Sequence, residues 1–364
     1  MSGGEPYQAV TRAADNAGRR SRNGVAFSNA SAMRNTVASW NGLPTSWMAT
    51  GRSPSPKTVR IGVFDATFPP VLTIESGDRV VVQCVSGREE VMPPASAGLA
   101  VPPELSAIIA ANPGSRAGHI VTGPIAIAGA APGDMLEIRI EKIEPGADWG
   151  YNMIRPLVGT LPEDFHETVI SHIPVDRARG VCTLPWGTEL ALAPFFGVMG
   201  VAPPPAFGTI ASKEPRIHGG NMDNKELTAG STLYLPVWVP GANFSVGDGH
   251  GLQGDGEVCV TALEMCLTGT FTFVLHKGGG ATRPVLRMPK AETPVYFISM
   301  GLNEDLDQAM KQALREMISF ICSRSNLSRE QAYQFCSLAV DFHVTQTVNG
   351  EKGIHGMLRK GLLF

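Results

Sequence analysis

Two short turns limit what this chain can become. Ser76-Gly77-Asp78 leads into the apolar run RVVVQCV (79–85), and Pro132-Gly133-Asp134 leads into MLEIRIEKIE (135–144). A type II turn needs positive φ at its second central residue, which glycine supplies without steric cost. Met135, Ile138, Ile140 and Ile143 then roughly alternate with charged residues, the period of a strand with one face on a core. The recurrence has the form of an internal duplication, for which two instances are weak support.

The same punctuation runs through most of the chain, which holds 41 glycines and 28 prolines in 364 residues. Such a density favours many turns and short strands over a helical bundle. TVRIGVF (58–64), VLTIE (71–75), Leu233 to Val239, EVCVTALEM (257–265), TFTFVLHK (270–277) and PVYFISM (294–300) all read as strands. HIVTGPIAIAGA reads as a short apolar segment broken at Thr122-Gly123-Pro124. Residues 145–215, rich in proline and glycine, read as loops with short strands such as VCTL (181–184), and a connection of that length usually serves a site. Helices are expected only late. Asn303-Glu304-Asp305 opens one, with Leu306, Met310, Ala313, Leu314, Met317, Ile318 and Ile321 at helical spacing. Ser328 opens a second, with Gln331 as its capping-box partner. The expected class is therefore mainly β with a C-terminal helical portion (α+β).

Residues 1–57 differ from the rest, with six arginines, many small polar residues and few acids. They lack the apolar core of a secretory signal and read as an N-terminal extension ahead of one catalytic domain, 58–364. Net charge is −3, so no basic surface awaits a nucleic acid. No run of about 18 apolar residues is present, which excludes a membrane-spanning helix. Six scattered cysteines without a C-x-x-C pair read as reduced core residues, and with them the chain as cytoplasmic.

Chemistry concentrates in residues 216–264. His218, Asn221, Asp223, Asp248, His250, Gln253, Asp255 and Glu257 fall there among glycines. In Asp248-Gly249-His250 the carboxylate and imidazole are two residues apart, so an extended chain points both to one side. That pair suits a metal, and Asp223 is the candidate third ligand. Two or three ligands leave a coordination position open, as a catalytic metal needs. Glu257 is the first candidate to carry a proton and Asp255 the second. Calcium is a further possibility for so many carboxylates, although the spacing is not that of an EF-hand. No phosphate loop and no G-x-S-x-G elbow occurs. Ser245 and Cys259 are the alternative nucleophiles, and a catalytically silent metal- or sugar-binding β protein is the alternative from outside the enzymes. Phe195, Phe196, Trp186 and Met199 are the residues expected to line a pocket.

Five blocks resemble the acetamidase/formamidase family, in its order: FDATFPPVLTIESGDRV; Gly118-His119 with Thr122-Gly123-Pro124 and PGDMLEIRI; IHGGNMDNKEL; GSTLYLPVWVPGANFSVGDGH with QGDGEVCVTALE; and DFHVTQTVNGEKGIHGMLRK. The resemblance implies a β-rich, sandwich- or barrel-like body and hydrolysis of formamide or acetamide to acid and ammonia. It also implies a metal-dependent site, with zinc expected and calcium as an additional structural ion, in a homo-oligomer. A small cyclic amide is the alternative substrate, since some members are similar to lactamases. Carried over by position, the implied site is Asp223, Asp248, His250 and Glu257, with His119, Gln253 and Asn221 on the substrate side. One departure is visible: members often carry histidine where this chain has Arg60.

Overall fold

The two Gly-Asp turns form with the same geometry. Gly77 and Gly133 take φ of 100° and 90°. Asp78 and Asp134 each accept a hydrogen bond from the backbone N–H three residues earlier, at 2.9 and 2.8 Å. The strands that follow, Arg79–Cys84 and Met135–Pro145, flank one partner, Leu267–His276, in antiparallel register on its two sides. Arg79 and Arg139 both stand opposite Thr272. The sequence repeat is thus a structural repeat about a shared strand.

The computed structural model describes residues 54–114, 118–278 and 285–364. The expected N-terminal extension therefore lies, except for its last residues, outside the described ones. Among the described residues the largest sheet has eight strands. Its order is Val340–Gln346, Lys352–Arg359, Tyr296–Asn303, Lys290–Glu292, Thr232–Pro236, Met135–Pro145, Leu267–His276 and Arg79–Cys84. A second sheet runs Val59–Ile61, Ile120–Ile127, Phe244–His250, Phe195–Gly200 and Gly219–Asn221, with Leu72–Ile74 added in parallel to Ile120–Ile127.

These two sheets share one core. Phe196 and Phe244 from the second sheet meet Phe271 and Phe273 from the first, with Phe244 and Phe273 ring centroids 5.1 Å apart. Aromatic pairs at this spacing and tilt add to the area they remove from water. The result is a β-sandwich. The helix Leu306–Arg324, capped by Asp305, and the helix Arg329–Ala339, with its Ser328–Gln331 capping box, cover the outer part of the large sheet.

Several local expectations change. A helix occurs early, at Pro103–Ala111, where Pro103 at the first helical position and buried Leu105 and Ile108 stabilise it. Ile120–Ile127 runs unbroken through Gly123-Pro124, and its partner strand Phe244–His250 takes up the irregularity with a register shift between Phe244 and Val246. Residues 145–215 hold a four-stranded sheet, Trp149–Ile154, Val169–Asp176, Val181–Thr183 and Glu189–Ala191. The expected strand 257–265 is a loop: Glu257 and Val260 take φ of 43° and 74°, and the chain turns at both instead of running extended.

Candidate functional site

The site forms where the second sheet meets that loop. Phe195–Gly200 lies between Phe244–His250 and Gly219–Asn221, and its Gly197 is the floor. A Cβ on Gly197 would stand 2.5 Å from Asp248 Oδ2, 2.6 Å from Asp223 Oδ1 and 2.8 Å from His250 Cε1. Asp248 and His250 come from one strand, as their spacing requires. Asp223 follows Gly219–Asn221, with its N–H donated to Gly197 O at 3.2 Å. Glu257 and Glu264 come from the loop. Paired backbone bonds between Glu264 and Tyr151, 2.8 and 2.9 Å, hold its end. Asp223, Asp248, Glu257 and Val260 are all non-glycine residues with positive φ. Left-handed backbone costs each about 1–3 kcal/mol, strain that collects at functional sites.

Four carboxylates, Asp223, Asp248, Glu257 and Glu264, are thus buried around one buried imidazole. His250 Nε2 lies 3.2 Å from Asp248 Oδ2 and 3.2 Å from Glu264 Oε1. Its Nδ1 meets Gln253 Oε1 at 3.0 Å, and Gln253 Nε2 donates to Asp223 O at 2.9 Å. The amide oxygen therefore accepts from Nδ1–H, and Nε2 is the nitrogen turned to the acids. Asn349 Nδ2 donates to Asp223 Oδ2 at 2.9 Å and stands 3.4 Å from Glu257 Oε2. Asp223 Oδ1 and His250 Nε2 are buried without a hydrogen-bond partner.

Electrostatics follow from crowding. Burial pushes Asp223 up to about 8, with Asp248 adding to the shift and His250 opposing it. Burial, with Asp223 beside it, lifts Glu257 well above the usual carboxylate range, and burial raises Glu264. Burial would also raise Asp248, but His119 and His250 outweigh it and hold Asp248 below the usual range. Burial pulls His250 down, yet Glu264 and Asp248 prevail and hold it well above the usual imidazole range.

A divalent cation fits this set. Ligand atoms each about 2 Å from one ion stand about 3.3 Å apart in a tetrahedral shell, close to the two 3.2 Å separations at His250 Nε2. The ring nitrogen opposite is fixed by Gln253, as metal-bound histidines generally are. Two groupings share His250: Asp223, His250 and Glu257, and Asp248, His250 and Glu264.

The cavity above the cluster is small, about 60 Å³. Asn221, His119, Tyr151, Val260, Asp248, Glu257, Glu264 and Asn349 help line it. A pocket of about 430 Å³, sharing Gly87, Arg88, Gly118 and Ile120, adjoins it as a vestibule.

The structure gathers most of the residues singled out in the sequence and moves others away. Asp223, Asp248, His250 and Glu257 converge, and His119 and Asn221 reach the cavity; His119 Nε2 is 3.8 Å from Asp248 Oδ2. Gln253 orients His250 and is not among the lining residues. Asp255, the second candidate for proton transfer, turns outward to Lys225 at 2.9 Å and His343 at 3.3 Å, because Gly256 reverses the chain between it and Glu257. His218 packs in the core against Phe64. Arg60 lies over the Phe68 ring, outside the cavity. Phe195, Phe196 and Met199 are core, and Trp186, 73% exposed, lines a neighbouring pocket of about 440 Å³ that shares Glu257 and Thr261 with the cavity, so none of the four lines the cavity itself. Cys259 and Ser245 do not line it either.

Gly197, Glu264, Asn349 and Tyr151 escaped sequence reading. A signal existed for Glu264, an acid inside the apolar run Ala262, Leu263, Met265 and Cys266. No local pattern marks Gly197 or Tyr151.

The acetamidase/formamidase family model matches residues 63–213 and 204–351. A formamidase from Methylophilus methylotrophus is 30% identical over 301 residues, covering 64% of this chain and 73% of that protein. An acetamidase from Mycolicibacterium smegmatis is 30% identical over 291 residues, covering 59% and 71%. The crystal structure of an acetamidase from Bacillus halodurans superposes with a TM-score of 0.72 at 30% identity, covering 84% of this chain and 96% of that one.

Proposed function

The chain belongs to the acetamidase/formamidase family and is an amidohydrolase acting on linear amides, and from that premise we propose that it hydrolyses formamide or acetamide to the carboxylic acid and ammonia with a divalent metal, zinc, at the His250 cluster. The observation that carries the metal is the set of four buried carboxylates around His250, with Asp223 Oδ1 making no hydrogen bond and His250 Nε2 making none to the two carboxylates 3.2 Å away. Buried carboxylates without compensating charge are costly. Asp248, His250 and Glu264 would hold the ion, with Asp223, grouped with the same His250, beside them. When bound, it supplies positive charge that polarises a carbonyl and acidifies water.

The chain's own groups supply the rest. Glu257 reaches the cavity with its pKa lifted by burial, and by Asp223 beside it, well above the usual carboxylate range, a shift that suits a group exchanging a proton with the substrate. It takes a proton from the attacking water and delivers it to the nitrogen as the C–N bond breaks. Asn349 keeps the Glu257 carboxyl beside Asp223. His119, Asn221 and Tyr151 surround the amide.

Size selects the substrate class. One water needs about 15 Å³ of such space, so a cavity of about 60 Å³ takes roughly four water-sized groups. Formamide has three non-hydrogen atoms and acetamide four. A larger or cyclic amide would have to extend from it into the adjoining vestibule of about 430 Å³.

Ammonia release from formamide, acetamide, propionamide and butyramide tests the reading, in chelated protein and after zinc is restored. Turnover of the two shortest amides, lost on chelation and regained with zinc, is the expected result. Full turnover in metal-free protein would remove the metal from the mechanism.

A further inference from the structure

We propose that Asp255, His343 and His355 form a second metal site, for a divalent first-row cation of the zinc class, that ties the loop carrying Glu257 to the C-terminal strand pair. It shares no residue with the His250 cluster.

The two histidines stand directly opposite each other on the paired strands Val340–Gln346 and Lys352–Arg359. Side chains at such positions have Cβ atoms about 4.5–5.5 Å apart, close enough for both rings to reach one ion. The rings are stacked, 5.2 Å between centroids and 14° between planes. Asp255 Oδ2 approaches His343 Nδ1 at 3.3 Å, again near the separation of two ligands on one zinc. One ligand atom from each of the three residues lies within 4.8 Å of the other two.

His355 supplies an independent sign. It is fully buried, and its Nδ1 is bonded to Thr345 Oγ1 at 2.7 Å. Its Nε2 is buried with no partner. A buried imidazole held at one nitrogen and bare at the other is the arrangement that a hydrogen-bonded metal ligand shows. Buried polar atoms are usually paired, and here the bare nitrogen belongs to a ring grouped with a second imidazole and a carboxylate. Asp255 is held in the same manner: Lys225 takes Oδ1 at 2.9 Å, leaving Oδ2 to the histidines. Two imidazoles and a carboxylate suit zinc and its first-row neighbours better than calcium or magnesium. Asp255 and His343 are each more than a third exposed, so water completes the shell.

The site has a structural consequence. Asp255 precedes Gly256 and Glu257, and the loop already leans on the same strands through Gly256 N to Thr345 O, 3.3 Å, and Thr347 N to Gly256 O, 2.9 Å. A metal at Asp255 would add a bond between loop and sheet two residues from Glu257.

The test is zinc content. Wild-type, His343→Ala and Asp255→Asn proteins are stripped with chelator, dialysed against micromolar zinc, and assayed for zinc per chain and for the melting temperature with and without zinc. The expected result is one zinc fewer per chain in each variant than in wild type, whatever the His250 cluster holds, with a smaller zinc-induced rise in Tm. Asp223→Asn, assayed in parallel, reports the other centre separately. Unchanged zinc content in the two variants, or a difference seen only at millimolar zinc, would overturn the proposal and leave a plain Asp255–His343 ion pair. Both substitutions are at the surface, so folding of at least one variant is expected, and Asp255→Asn alone decides the matter if His343→Ala fails.

Discussion

Gly197 lies so close to Asp248 that a single added carbon would stand 2.5 Å from the carboxylate oxygen. The same carbon would press on Asp223 and His250, so the floor of the cluster has room for a hydrogen and nothing larger.

Gly197→Ala is therefore expected to fold and to lose the centre. Displacing ligands by less than an ångström costs on the order of 100-fold in activity, and zinc affinity should fall with it. Chelator competition measures the affinity and ammonia release the rate. Wild-type affinity in this variant would show that the cluster is not the metal site.

Glu257→Gln should keep zinc and the fold and lose turnover by about 10²–10⁴-fold, the usual worth of a positioned acid–base group. Zinc content and kcat on acetamide, measured together, separate proton transfer from ligation. Loss of zinc in this variant would make Glu257 a ligand instead.

Stability of the chelated protein should depend on pH in a definite direction. Asp223, Glu257, Glu264 and His250 all have folded-state pKa values above their usual ones, Asp223 reaching about 8 from 3.8. Groups shifted upward contribute stability that is complete below the unfolded pKa and is lost as pH rises through the folded one. Asp248 is shifted downward, as are His218 and His355, each lowered by burial to about 3, and these three act oppositely, the histidines up to about pH 6.5. Metal-free Tm should fall between about pH 6.5 and pH 8, where the histidines are neutral folded or unfolded, while the increment gained on adding zinc grows, because zinc requires the deprotonated acids. Scanning calorimetry across that range checks both slopes.

Val260→Gly should widen substrate range. Val260 lines the cavity and holds φ at 74°, a conformation that β-branched residues avoid. Glycine removes the side chain and relieves about 1–2 kcal/mol of left-handed strain. The ratio of kcat/KM for butyramide over formamide should rise by about tenfold, one methylene's worth of pocket per carbon. An unchanged ratio would place the acyl group elsewhere.

Cys259→Ser should retain wild-type turnover, since Cys259 Sγ meets Asn152 and Thr261 outside the cavity. Abolished activity would return a thiol nucleophile to consideration.

Local and periodic features were legible in the sequence. The Gly-Asp turns, the alternating run after Pro132-Gly133-Asp134 and the Ser328–Gln331 capping box depend on neighbours a few residues apart. The pairing of Asp248 with His250 is of the same kind, since a strand sends residues two apart to one side. Tertiary structure decided what lay beyond such spacings. Glu257 and Val260 turn left-handed, which converts an apparent strand into the loop that brings Glu264 under His250 and sends Asp255 outward to His343. Asn349 reaches Asp223 across 126 residues of chain, and Gly197 is recognised only when three side chains from two other segments close over it. Backbone left-handedness in a non-glycine residue and contacts between distant segments leave no periodic trace, because both are imposed by the packed sheets and not by the local chain.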